Sequence, residues 1–272
     1  MPDDSCQETC RFNIVDSDIE IDGISLRVRK IESGSHRTPI VFLHDSLGCI
    51  DVWRDFPERL CEQSKRDGIV YDRQGYGRSS PFTRSRDTDY LEREADTLAK
   101  MIRKLGIKKC VLFGHSDGGS IALIAAAKTP ELIVGVVTEG AHVFVEEITL
   151  NGIRQAQKLF AETDLRQRIT KYHGEKTDGV ISAWVDTWLS PQFRDFNMEH
   201  FLPAIKCPVL VLQGEGDEYG SEKQVDAIAE KVSGPSTKDM VKYARHTPHK
   251  EALDYTLRTT STYICGIDSL SQ

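Results

Sequence analysis

One ten-residue segment constrains the fold more than any other: Val111–Leu112–Phe113–Gly114–His115–Ser116–Asp117–Gly118–Gly119–Ser120. An apolar run enters Gly-x-Ser-x-Gly and continues at once into the small-residue stretch Gly118 to Lys128, which stops before Pro130. A strand that becomes a helix across a single residue holds that residue in a strained backbone conformation. It also brings the chain on either side together, so positions 114 and 118 have to be small. The Ser116 hydroxyl is then presented at the carboxyl end of a strand, beside a helix N-terminus. A serine hydroxyl is a weak nucleophile at neutral pH unless a base takes its proton, so the segment calls for a base elsewhere in the chain.

The surrounding pattern supplies a scaffold for that turn. Ile19–Ile21 and Ile24–Val28 alternate about Asp22–Gly23, a hairpin signature. Short apolar runs then recur at Ile40–Leu43, Ile69–Tyr71, Val111–Phe113, Ile133–Val137, Val209–Leu212 and Met240–Val241, as in strands covered on both faces. Leu91, Ala95, Leu98, Ile102 and Leu105 step by three and four up to Gly106, which predicts an amphipathic helix. Strands alternating with helices predict an α/β fold: a mostly parallel, doubly wound sheet of about eight strands with an antiparallel N-terminal edge. Residues 141–204 break the rhythm, being helical or irregular and holding Trp184, Trp188, Phe193, Phe196 and Phe201. They read as a helical cap inserted between core strands, with residues 1–140 and 205–272 forming the core.

Composition narrows the function classes. With a net charge of −7 over 272 residues, the chain lacks the basic face that a nucleic-acid backbone demands. No apolar run reaches the ~18–20 residues of a membrane span. Residues 1–11 are polar with no apolar core of a secretory signal, and 1–12 read as a loose arm of a cytoplasmic protein. The seven cysteines (6, 10, 49, 61, 110, 207 and 265) read as reduced thiols, with no second pair at zinc-finger spacing. His-Glu-x-x-His is absent and Gly75-x-Gly77 lacks a third glycine, so neither a metal nor a dinucleotide is expected. Glu92, Arg93 and Glu94 read as a solvated helix face.

The base and its orienting acid are sought after the later strands. Gly214–Glu215–Gly216–Asp217–Glu218 presents carboxylates past one strand, and His246 and His249 follow the next. The order Ser116, Asp217, His246 satisfies the logic of a nucleophile, an orienting acid and a base. Glu139, Glu215 and Glu218 compete with Asp217, and His249 competes with His246. His246 and His249 are spaced i, i+3, as if on one helical face.

These residues resemble the α/β-hydrolase superfamily from about Ile19 to Tyr263. His44–Asp45–Ser46–Leu47–Gly48 resembles its H-G-x-x-G loop, and Asp72–Arg73–Gln74–Gly75–Tyr76–Gly77–Arg78–Ser79 its D-x-x-G-x-G-x-S turn. Gly114–Gly118, Asp217 and His246 resemble its nucleophile, acid and base positions. Ser116–Gly119 with Ala122–Lys128 further resembles the valacyclovir hydrolases, which cleave amino-acid esters. The resemblance implies a cofactor-free serine esterase acting on a small acyl substrate, with an oxyanion hole formed by the N–H groups of Ser46 and Asp117. Asp45 and Arg245 stand where the family carries glycine, and Asp45 places a carboxylate near that hole. His115, Asp117, Trp184 and Trp188 are expected to touch substrate, Asp117 either by meeting a substrate ammonium or by capping the helix it begins. An aminoacyl-ester hydrolase, a lactonase and a C–C bond hydrolase share the same triad. A ligand-sensing protein with little turnover shares the fold.

Overall fold

The computed structural model describes residues 12–270, so the expected N-terminal arm and Cys6 and Cys10 lie outside the described residues. Eight strands form one sheet: β1 (Asn13–Ile21), β2 (Ile24–Glu32), β3 (Ile40–Leu43), β4 (Gly68–Tyr71), β5 (Cys110–His115), β6 (Ile133–Glu139), β7 (Val209–Gly214) and β8 (Ser236–Val241). Their spatial order is β1-β2-β4-β3-β5-β6-β7-β8. The first two form an antiparallel hairpin and β2 pairs antiparallel with β4; every later pairing is parallel. Asp22 (φ 52°) and Gly23 (φ 79°) make the hairpin turn with both central residues left-handed, which matches the twist of the flanking strands.

The continuous apolar runs are explained by two cores, one on each face. Val41, Leu43, Leu112, Val209 and Val211 point to one core with α2 (Tyr90–Lys104), α3 (Asp117–Lys128) and α7 (Glu222–Lys231). Ile40, Phe42, Val111, Phe113, Leu210 and Leu212 point to the other, with α1 (Phe56–Ser64) and α9 (Leu253–Leu270). Successive strand residues face opposite ways, so a strand covered on both sides has no polar face to show. Each fully buried Leu, Val or Phe contributes about 1.5–3 kcal/mol by leaving water. β8 departs from the expectation of cover on both faces: as the far edge it is mostly exposed, with Val241 alone buried.

Between β6 and β7 lie α4 (Glu147–Glu162), α5 (Leu165–His173) and α6 (Thr177–Trp188), with no strand of the main sheet. The last two helices of the sequence are α8 (Pro248–Glu251) and α9. No helix among the described residues is long and apolar enough to cross a membrane. The five described cysteines are free thiols.

The tightest packing is at the turn from β5 into α3. A Cβ on Gly114 would lie 2.2 Å from the Gly118 carbonyl oxygen, and one on Gly118 would lie 2.1 Å from that of Leu43. Both neighbours are backbone and cannot swing aside. Gly118→Ala is therefore expected to lower unfolding free energy in urea by about 1–3 kcal/mol or more. Gly266, exposed in α9 with nothing within 4 Å of an added Cβ, is the contrast. Gly266→Ala should raise stability by about 0.5–1 kcal/mol. Equal midpoints for the two variants would show that the β3 backbone gives way freely.

Candidate active site

The carboxyl ends of the parallel strands gather on one side of the sheet, where such folds place their ligands. His44 to Ser46 follow β3, Ser116 follows β5, His142 follows β6, Asp217 follows β7 and His246 follows β8. Ser116 has φ 55° and ψ −121°. A non-glycine residue there stores about 1–3 kcal/mol of strain, which the surrounding hydrogen bonds must offset. Its N–H donates to the Glu139 carbonyl at 2.8 Å, and its carbonyl accepts from Gly119 (2.8 Å) and Ser120 (3.1 Å).

His246 Nδ1 lies 2.9 and 3.0 Å from the two carboxylate oxygens of Asp217. A carboxylate only accepts, so Nδ1 carries the proton and Nε2 keeps its lone pair. Asp217 also accepts the Tyr219 N–H at 2.8 Å. Burial opposes its ionisation, but the His246 ring and that N–H outweigh burial and hold the pKa below the usual carboxylate value. Burial likewise opposes charging of His246. The carboxylates of Asp217, Asp45 and Glu218 outweigh it, and the pKa is raised above that of ordinary histidine.

The competing residues are otherwise engaged. His249 Nδ1 bonds Glu139 Oε1 at 2.8 Å, and the same oxygen accepts the His249 main-chain N–H at 2.9 Å. Glu139 Oε2 has no partner among the described residues. Glu215 is exposed and Glu218 pairs with Arg245 at 3.1 Å. Arg245 itself is exposed, so a long side chain at the family's glycine position displaces nothing. The shared helical face expected of His246 and His249 is not found, because Pro248 begins α8 and His246 stays in the preceding loop.

The loop after β3 is fixed from several directions. The Asp45 carbonyl accepts from His44 Nδ1 (2.7 Å) and Arg73 Nη2 (2.8 Å). Asp45 Oδ1 accepts the Leu47 N–H at 3.0 Å, turning the carboxylate back onto its own loop. Below it, Asp72 accepts the N–H groups of Ile50 and Arg78, both at 2.7 Å. That accounts structurally for the Asp72–Ser79 motif. The N–H groups of Ser46 and Asp117 have no acceptor among the described residues.

A cavity of about 190 Å³ brings together Ser46, His115, Ser116, Asp117, Trp184, Trp188 and His246, with Asp217 behind His246. The sequence reading missed His142, Thr149, Ile153 and Tyr219, which also line it. His142 had a usable signal: it follows a core strand at the same end as the other site residues. Its Nε2 donates to the Tyr219 carbonyl at 3.0 Å, and burial together with the neighbouring His246 lowers its pKa. Phe193 is fully buried and stacks on Phe196 at 4.5 Å between centroids, away from the lining. The inserted aromatics thus divide between core and cavity.

The Asp117 side chain lines the cavity and does not cap the helix it begins. Instead it accepts from Tyr90 Oη (3.0 Å) and Arg86 Nη1 (3.4 Å), with Arg73 Nη2 at 3.7 Å. Arg86 also bonds Tyr76 Oη and the Ala183 carbonyl of α6. Nor is 92–94 a solvated face: all three residues are half-buried, and burial raises the Glu94 pKa against the pull of Arg73 and Arg86.

Known proteins share this fold. A family model described as alpha/beta hydrolase fold matches residues 38–199. Human serine hydrolase BPHL is 30% identical over 251 residues, covering 89% of this chain and 84% of its own. A 2-succinyl-6-hydroxy-2,4-cyclohexadiene-1-carboxylate synthase of Escherichia coli is 25% identical over 158 residues, 58% of this chain and 56% of its own. Among solved structures, a thermophilic esterase from Thermogutta terrifontis superposes with a TM-score of 0.67 at 21% identity, over 94% of this chain and 99% of that one. A cavity at the carboxyl edge of an eight-stranded sheet, a matching family model and a relative sharing almost the whole chain agree: the chain belongs to the alpha/beta hydrolase fold family.

Proposed function

We propose that this hydrolase cleaves a small carboxylic ester or related acyl substrate through an acyl-enzyme. The observation that carries the reading is a left-handed Ser116 sharing one cavity with a His246 whose Nδ1 is held by Asp217. Ser116 Oγ attacks the acyl carbonyl while His246 Nε2 takes its proton. The N–H groups of Ser46 and Asp117 receive the oxyanion, having no other acceptor. His246 then protonates the leaving group, and the acyl-enzyme remains on Ser116. Water enters, gives its proton to His246 and attacks the acyl carbon; the acid leaves and Ser116 regains its proton. Residues 141–204 act as a cap, Trp184 and Trp188 setting the cavity size. About 190 Å³ is below the ~300–1,000 Å³ of drug-sized sites, which favours short acyl groups.

Asp117 bears on substrate charge. An ammonium group would have to draw its carboxylate from Tyr90 and Arg86 in a dry setting, which favours neutral acyl esters over aminoacyl esters. The kcat/KM ratio of an aminoacyl ester to its des-amino analogue should therefore lie below one. A ratio well above one that collapses in Asp117→Asn would restore the aminoacyl-ester reading.

Fluorophosphonate labelling followed by a panel of esters, lactones, amides and β-diketones tests the reaction type. Ser116→Ala should abolish labelling and lower kcat by at least about 10³-fold, as should His246→Ala, since triad members act as a unit. His249→Ala should instead act on stability, costing about 3–5 kcal/mol by leaving Glu139 buried and unpaired. Labelling that survives in Ser116→Ala would place the nucleophile elsewhere.

His246 must be neutral to act as base, so kcat/KM should rise with pH along a limb lying above the ordinary histidine value. Glu218→Gln removes a charge that favours the protonated ring and should shift that limb to lower pH. An unmoved limb would mean that another group controls it.

A further inference from the structure

The carboxylate at position 45 poses an electrostatic problem. It stands one residue before Ser46, whose N–H receives the oxyanion in the reaction proposed above, and an uncompensated negative charge there would oppose that reaction. Its Oδ2 lies 3.4 Å from His115 Nδ1. The other nitrogen of the same ring, Nε2, lies 2.8 Å from the main-chain carbonyl oxygen of His246. A carbonyl oxygen only accepts, so Nε2 bears a proton. The ring thus spans the Asp45 carboxylate on one side and the His246 main chain on the other.

The ring is buried between His246 (centroids 5.1 Å apart), His249 (5.0 Å) and Trp53 (6.3 Å). Asp45 and the Glu139 of the His249 pair are carboxylates near it, and the Lys250 charge acts on both Asp45 and His249. Glu139 and His249 are already paired with one another, Nδ1 to Oε1 at 2.8 Å.

We propose that His115 is a positioning residue: by bridging Asp45 and the His246 backbone, it holds the carboxylate beside the oxyanion donor against the ring and sets that donor's distance from the base. The proposal rests on the acyl-transfer reading. It explains how this chain tolerates an aspartate where the family loop carries glycine.

The test is a double-mutant cycle read as the second-order rate of Ser116 labelling by a fluorophosphonate, which needs both base and oxyanion hole but no knowledge of the natural substrate. His115→Phe should slow labelling about 10- to 100-fold, less than the ~10²–10³-fold cost of losing an oxyanion donor itself. In an Asp45→Gly background the same change should cost less than about threefold, because no carboxylate remains to be held. A purely structural role would lower thermal stability and give equal losses in both backgrounds, which would overturn the proposal. So would wild-type labelling by His115→Phe. If His115→Phe fails to fold by circular dichroism, His115→Gln completes the cycle, since it removes the ring while keeping an amide N–H. A wild-type protein that does not label at Ser116 would instead remove the reaction itself, an outcome distinct from labelling that ignores position 115.

Discussion

The site depends on one backbone contact, the approach of α3 to the end of β3 across the strand β5. Gly118 packs against the Leu43 carbonyl and Gly114 against Gly118, leaving no space for a side chain at either position. The contact does two jobs at once. It forces the intervening serine into its left-handed conformation, and it places the first N–H of α3 beside the loop that follows β3. Ser116 and the N–H groups of Ser46 and Asp117 are thus set by the same crossing of the chain.

Around that crossing carboxylates and imidazoles are arranged in pairs. Asp217 with His246 faces the cavity; Glu139 with His249 lies buried behind it, and Asp45 with His115 lies between them. His246 and His249 differ because their surroundings differ. Three carboxylates raise His246 above the usual value, whereas burial lowers His249 despite Glu139. The ring with the raised pKa sits at the cavity wall, and the ring with the lowered one is sealed away.

Much of this was legible in the residues. The apolar runs at 40–43, 111–113 and 209–212 announced strands covered on both faces, because alternate residues feed two cores. Ser116, Asp217 and His246 announced themselves by following strands at the same end of the sheet. Side-chain partnerships between distant segments were not legible. Asp117 read as a helix cap or an ammonium ligand because its partners Tyr90 and Arg86 lie 27 and 31 positions away and Arg73 further still, in a loop and helix with no periodic sign of them. His142 was missed since a lone histidine after a strand looks the same whether or not a cavity opens beside it. The aromatic insertion was visible as a block, but its division into core and wall depends on the angle at which α6 is laid down.

The bonding of Arg86 ties three parts of the molecule that would otherwise be separable. Its guanidinium joins Asp117 next to Ser116, Tyr76 in the loop after β4 and the Ala183 carbonyl of α6. The bond to α6 reaches its main chain, so it fixes where the backbone of that helix lies and leaves the side chain at 183 free to vary. Diversification of this pocket can therefore proceed by exchanging side chains along α6 while the guanidinium keeps the helix in place.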